Sequence, residues 1–167
     1  MLSLGSNLPP RGLWLERARE TINELGGVVL ASTPQWNTTP VGGPPQPDFL
    51  NQLLLVQGPW DAWGWLRVAQ LAEARAGRVR LVDKGPRRLD VDVILMADVA
   101  ISSPELSIPH LALLERPFLL AGAAALVPQW TPPGWGAEIG ELAPARLRGA
   151  WARPVPVRGG ADRPGLG

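Results

Sequence analysis

The run Leu89-Asp90-Val91-Asp92-Val93-Ile94-Leu95 constrains this chain more than any other segment. Alternation of apolar and acidic residues has the period of an extended strand, in which residues two apart share a face. Leu89, Val91, Val93 and Leu95 are then predicted on one side, and Asp90 and Asp92 on the other. Two carboxylates this close in so apolar a strand repel one another and are costly to bury. A divalent cation resolves both difficulties, and paired Asp oxygens suit Mg²⁺ that takes further ligands from substrate phosphates. Two solvated acids near a strand end are the competing reading.

What the composition lacks narrows the chemistry. The chain of 167 residues has no Cys, so thiol catalysis, thiolate metal sites and disulfides are excluded. His110 is the only His, which rules out a multi-His zinc site. Lys84 is the only Lys and precedes Gly85, so no Walker A loop is possible, and there is no GxGxxG fingerprint. A net charge of +1 gives no global pull towards nucleic acid or an anionic membrane, so any phosphate site must come from local clustering. No stretch approaches a membrane span and the start Met-Leu-Ser-Leu-Gly has no charged leader. The expectation is a soluble cytoplasmic monomer.

The pattern along the chain predicts an α+β sandwich of ferredoxin-like type, with helices on one face of a mostly antiparallel sheet and long catalytic loops. Met1 to Leu4 is a short apolar run before a turn at Gly5-Ser6-Asn7. Pro9 and Pro10 can start a helix that Gly26-Gly27 ends, and Val28 to Leu30 reads as a strand. Residues 37–47 hold four prolines and two glycines and are predicted as a long shaped loop. Phe49 to Val56 is a strand, and a helix from Asp61 as N-cap to about Ala76 stops at Gly77. After a basic loop at 77–88, Leu89 to Met96 is a strand on which Ala100-Ile101 is expected to pair back. Pro104 to His110 is extended, and Leu119 to Leu126 is a short helix. The domain is placed at 1–151, with 152–167, rich in Pro, Gly and Arg, as a disordered tail.

The basic loop bears on the acid pair. Arg78, Arg80, Lys84, Arg87 and Arg88 face the single acid Asp83 between positions 78 and 88. Guanidinium forks match phosphate oxygens, and carboxylates for Mg²⁺ beside such a loop are what phosphoryl-type transfer requires. Gln70 and Glu73 lie one helical turn apart just before the loop, a spacing that an ordinary exposed polar stripe also explains. His110, with Arg116 close behind, is a phosphate contact or a structural His. Phe49 and Phe118 are the only two Phe residues. Two rings can hold a flat heterocycle, although core packing is the usual role of Phe.

Six segments in order resemble one family, hydroxymethyldihydropterin pyrophosphokinase. They are Gly5-Ser6-Asn7-Leu8, Thr39-Pro40-Val41-Gly42, Gln46-Pro47-Asp48-Phe49-Leu50-Asn51, Gly77-Arg78-Val79-Arg80, Gly85-Pro86-Arg87-Arg88-Leu89-Asp90-Val91-Asp92 and Ile108-Pro109-His110. The resemblance runs from Leu2 to Pro128. It implies a ferredoxin-like fold, two Mg²⁺ ions and an ordered reaction that moves pyrophosphate from ATP to 6-hydroxymethyl-7,8-dihydropterin and releases AMP, in folate biosynthesis. By position it implies Asp90 and Asp92 as metal ligands. Thr38, Pro40, Val41, Phe49, Asn51 and Phe118 match the pterin pocket. Gln70, Glu73, Arg78, Arg80, Arg87, His110 and Arg116 match the ATP-contacting and catalytic set, of which Arg78, Arg80, Arg87 and His110 are taken as catalytic, and Lys84 is placed in the ATP site.

Lys84 departs from the family by standing where members often carry an aromatic that seals the site. Leu111 replaces a Tyr of some members, and Glu105 a basic residue. A Mg-dependent phosphohydrolase or nuclease using the same acids and arginines is the alternative. A nucleic-acid-binding module ranks last, because there is no Tyr, Phe is scarce and net charge is near zero.

Overall fold

The computed structural model describes residues 1–77 and 85–146. The element order begins β1 (Leu2–Ser6), α1 (Arg11–Glu24), β2 (Val28–Ser32), β3 (Trp36–Thr38), β4 (Phe49–Gln57), α2 (Ala62–Arg75) and β5 (Asp90–Val93). It continues with β6 (Ile101–Ser102), β7 (Ser107–Ile108), α3 (Pro117–Leu126) and α4 (Ile139–Arg146). The main sheet runs β2-β4-β1-β5, with β3 also on β4, and every pairing in it is antiparallel. Each helix α1 and α2 crosses between two strands that flank a third, which is the split β-α-β arrangement expected of a ferredoxin-like sheet.

Period-2 alternation divides the sheet into two chemistries. Leu2, Leu4, Leu50, Leu54, Val91 and Val93 pack beneath α1 and α2 in one core. α1 presents Trp14, Leu15, Ala18 and Ile22 to it, and α2 presents Trp65, Val68, Ala69 and Ala72, both at helical spacing. Asp61 caps α2 by accepting the Gly64 N–H at 2.7 Å, and Gly77 ends it at φ +69°.

The other face is not bare, which corrects the expectation of helices on one side only. Leu53, Met1, Ile94 and Leu95 form a second core with α3 and α4. Gly122 lets α3 sit close to the sheet, since a Cβ there would meet Leu53 Cδ2 at 2.8 Å.

Four further expectations change. The strand placed at 89–96 is β5, Asp90–Val93, because the Ile94 and Leu95 N–H groups turn to the Met1 carbonyl. Leu95 therefore leaves the face of Val91 and Val93. Ala100-Ile101 does not pair back on this strand: β6 pairs with β7, around a turn that the Ser103 hydroxyl closes on Leu106. Asn37 and Thr38 belong to β3 rather than to a loop, opposite Leu50 and Phe49. α3 starts at Pro117, a residue suited to the first helical position, and so includes Phe118. The short first strand is the centre of the sheet, paired on both sides.

Candidate active site

A cavity of about 560 Å³ opens on the sheet face opposite α1 and α2, within the size range of small-molecule sites. Its floor follows from register. Gly5 stands between Asn51 of β4 and Asp90 of β5, and Ser3 stands between Leu53 and Asp92. Gly5 has to be small: a Cβ there would lie 2.8 Å from Asn51 Oδ1 and 3.8 Å from the Asp90 Cβ. Asp90 and the amide that faces it are thus brought together across a strand with no side chain between them.

Of the residues singled out above, Thr38, Pro40, Val41, Phe49, Asn51, Phe118, Asp90, Asp92, Arg87 and Arg116 all line this one cavity. Asn51 Nδ2 donates to Thr38 Oγ1 at 2.6 Å, which fixes the amide. Phe49 and Phe118 are both buried at the wall, with the Arg87 guanidinium 5.1 Å from the Phe49 ring centroid. Val41 is 69% exposed, at the rim.

Asp90 accepts from Arg87 Nη2 at 2.7 Å. Asp92 is pushed up to about 7, first by burial and then by the carboxylates of Asp90 and Glu73, against the pull of Arg87 and Arg116. A half-buried acid pressed by two others is an environment that a cation relieves. Among the described residues no group of three His, Cys, Asp or Glu could hold a metal. Asp90 and Asp92 together are a donor set that fits Mg²⁺ completing its shell with water and phosphate. Arg87 Nε is buried with no hydrogen-bond partner among the described residues, a donor left for an acceptor from outside the protein.

Three expected residues lie elsewhere. Gln70 is exposed on α2 and Glu73 is buried, so they do not form one solvated stripe. Glu73 accepts the Val91 N–H at 2.9 Å, tying α2 to the outer edge of β5 midway between the two aspartates. His110 does not line the cavity. Its Nδ1 accepts the Ala112 N–H at 3.1 Å, and burial followed by the Arg116 charge lowers its pKa against a weaker opposite pull from Asp90. Arg78, Arg80 and Lys84 lie outside the described residues, as do 152–167.

One residue read only as part of a turn and of a family-like segment, with no role assigned, proves central. Asn7 is fully buried, donating to Gln46 Oε1 at 2.9 Å and to the Pro47 carbonyl at 3.1 Å while accepting the Arg87 N–H at 2.8 Å. Its hint in the sequence is modest: a polar residue directly after an apolar strand, before two prolines.

The antiparallel sheet, acid pair, arginine and aromatic cleft form a site suited to phosphate transfer, and the chain's relatives make it an ATP-dependent transferase of the pyrophosphokinase class. More narrowly, it belongs to the 7,8-dihydro-6-hydroxymethylpterin-pyrophosphokinase family, whose sequence model matches residues 1–128. It is 31% identical over 142 residues to the 2-amino-4-hydroxy-6-hydroxymethyldihydropteridine pyrophosphokinase of Synechocystis, covering 85% of this chain and 73% of that protein. It is 35% identical over 133 residues to the folic acid synthesis protein fol1 of Schizosaccharomyces pombe, covering 79% of this chain and 18% of that one. The solved Plasmodium falciparum HPPK-DHPS, wild type with SDX-DHP, superimposes with a TM-score of 0.65 at 14% identity, over 88% of this chain and 43% of that one. That likeness shows the ferredoxin-like fold. The chain thus spans a minor part of the fission-yeast and Plasmodium proteins. Family membership carries pyrophosphate transfer to hydroxymethyldihydropterin in folate synthesis, with ATP as co-substrate, and does not favour a phosphohydrolase or nuclease. No helix among the described residues is long and apolar enough to cross a membrane.

Proposed function

We propose that this single cavity binds both substrates: 6-hydroxymethyl-7,8-dihydropterin against Phe49, Phe118, Thr38, Pro40, Val41 and Asn51, and the ATP phosphates over Asp90 and Asp92. The observation that carries the reading is the cross-strand row Asn51–Gly5–Asp90, which puts an amide able to read a heterocycle edge beside a carboxylate able to hold a metal. Release of AMP requires the pterin hydroxyl oxygen to attack the β-phosphorus of ATP. The bond from that phosphorus to the oxygen bridging the α- and β-phosphates breaks, AMP departs with the bridging oxygen, and the hydroxyl proton is lost.

Asp90 and Asp92 would hold Mg²⁺, two ions by the family resemblance, which supply positive charge against the phosphates. Arg87 is aimed into the same cavity, with a buried donor to spare. Arg116 adds charge at its rim, and Arg78, Arg80 and Lys84 are assigned to the triphosphate by family position alone. His110 and Gln70 are assigned to the nucleotide on the same ground. Glu73 supports the acid pair through the Val91 amide. We place the reaction in the cytoplasm, with a monomer as the working unit. The test is mass spectrometry of ATP, Mg²⁺ and 6-hydroxymethyl-7,8-dihydropterin incubated with the chain. AMP and pterin pyrophosphate are expected in equal amounts, and ADP or free phosphate instead would reject the reading.

A further inference from the structure

Arg11 opens α1 and is not among the residues lining the cavity. A cation in the first turn of a helix opposes the positive end of the helix dipole, so helix stability does not explain it. Its Nη1 instead donates to Asn37 Oδ1 at 3.1 Å and to the Asp48 carbonyl at 2.9 Å. Those acceptors flank the two ends of the loop between β3 and β4. The register pair at the loop base is Thr38 opposite Phe49, and both line the cavity. Asn37 immediately precedes Thr38, and Asp48 immediately precedes Phe49. One guanidinium therefore ties together the two strands that present this part of the wall. Asn7 holds the same loop at Gln46 and Pro47, so both anchors come from the segment around the start of α1.

We propose that Arg11 is a positioning residue for the pterin: it closes the base of the β3–β4 loop so that Thr38 and Phe49 are in place before the ligand arrives. Charge-assisted bonds suit this task, and pre-ordering a wall removes part of the entropy cost of binding. The inference rests on the pterin reading of the cavity. Nucleotide binding at Asp90 and Asp92 does not depend on the loop base, so the two ligands should respond differently.

The experiment titrates a non-hydrolysable ATP analogue, and then 6-hydroxymethyl-7,8-dihydropterin in its presence, into Arg11→Ala, Asn37→Ala, the double variant and Phe118→Ala. Arg11→Ala should weaken the pterin about tenfold and the nucleotide less than about twofold, tenfold being about 1.4 kcal/mol. Asn37→Ala, which removes one acceptor only, should weaken the pterin less, and the double variant no more than Arg11→Ala alone. Unchanged pterin affinity in Arg11→Ala, with Phe118→Ala impaired, would overturn the positioning role and leave the site standing. Equal weakening of both ligands, with a lowered Tm, would make Arg11 merely structural. Normal pterin binding in Phe118→Ala would remove the pterin site and the inference together.

Discussion

Arg87 donates through Nη2 to Asp90 Oδ2 at 2.7 Å, while its guanidinium lies over Phe49 and its backbone N–H is held by Asn7. A cation of the cavity is therefore clasped to one member of the acid pair. In the proposed function Mg²⁺ and Arg87 would compete for the same carboxylate, and the ATP phosphates would take up the guanidinium.

Removing that cation should separate metal binding from catalysis. Arg87→Ala leaves the two acids with less neighbouring positive charge, so Mg²⁺ alone should bind several-fold more tightly, as Coulomb attraction requires. Turnover should fall by about a hundredfold or more, because the proposed donor to the transferring phosphates is gone. Calorimetric Mg²⁺ titration and initial rates check the pair of effects. Weaker Mg²⁺ binding in the variant would mean that Arg87 builds the acid site rather than competing for it.

Asp92 gives a pH signature. Its pKa is raised from 3.8 to about 7, so the folded chain holds a proton that the unfolded chain has released over that window. Its stability contribution is fully present below about pH 4 and is lost as pH rises through about 7. Asp92→Asn keeps the shape and removes the charge. In EDTA it should melt higher than the parent at pH 8 by a few degrees, on the order of 1–2 kcal/mol, with the gap closing by pH 4. Turnover should fall by orders of magnitude at any Mg²⁺ concentration. A variant that melts lower at pH 8 would show the carboxylate to be a structural acceptor.

The parts of this site legible in the sequence were those governed by short periods. Alternation put Asp90 and Asp92 on one face, and it held as far as Val93. It failed at Ile94 and Leu95, where the Met1 carbonyl, ninety-odd positions away in sequence, takes two amides and turns the chain into the second core. Gln70 and Glu73 show the same limit: helical spacing set them a turn apart, but only the position of β5 makes Glu73 an acceptor buried against Val91. Asn7 was faint and Arg11 silent for that reason too. Their partners, Gln46, Pro47, Arg87, Asn37 and Asp48, reach them only once the register of β3, β4 and β5 exists. The six pterin residues came from resemblance rather than from pattern, since nothing in composition separates Phe49 and Phe118 from core Phe.

His110 should mark the acid limb of stability with the opposite sign to Asp92. Its pKa is lowered by burial and then by Arg116, and neutral Nδ1 accepts the Ala112 N–H. Below the ordinary value of about 6.5 the unfolded chain gains a proton that the folded one resists, so this contribution is present above 6.5 and lost as pH falls through the lower folded value. His110→Asn keeps an acceptor for the Ala112 amide and removes the titration. Its melting curve should flatten between pH 6.5 and 5 relative to the parent. An unchanged slope would mean that other groups carry the acid limb.

Gly5→Ala tests the row that joins the two halves of the cavity. The added Cβ would meet Asn51 Oδ1 at 2.8 Å, closer than such contacts occur, and the other near atoms are Phe49 Cδ1 at 3.6 Å and the Asp90 Cβ at 3.8 Å. The strain therefore falls first on the Asn51 amide, whose displacement would loosen its 2.6 Å bond to Thr38 Oγ1. Losing that bond and crowding a central strand should cost about 1–2 kcal/mol of stability. If the amide reads the pterin as proposed, the pterin should bind roughly tenfold more weakly, while Mg²⁺-nucleotide affinity changes less than about twofold. Adding Asn51→Ala removes the group that clashes. The double variant should then recover part of the stability lost by Gly5→Ala without recovering pterin affinity, a coupling expected only of side chains in direct contact. Additive stability losses, or pterin affinity that returns in the double variant, would show that Gly5 shapes the cavity through something other than Asn51.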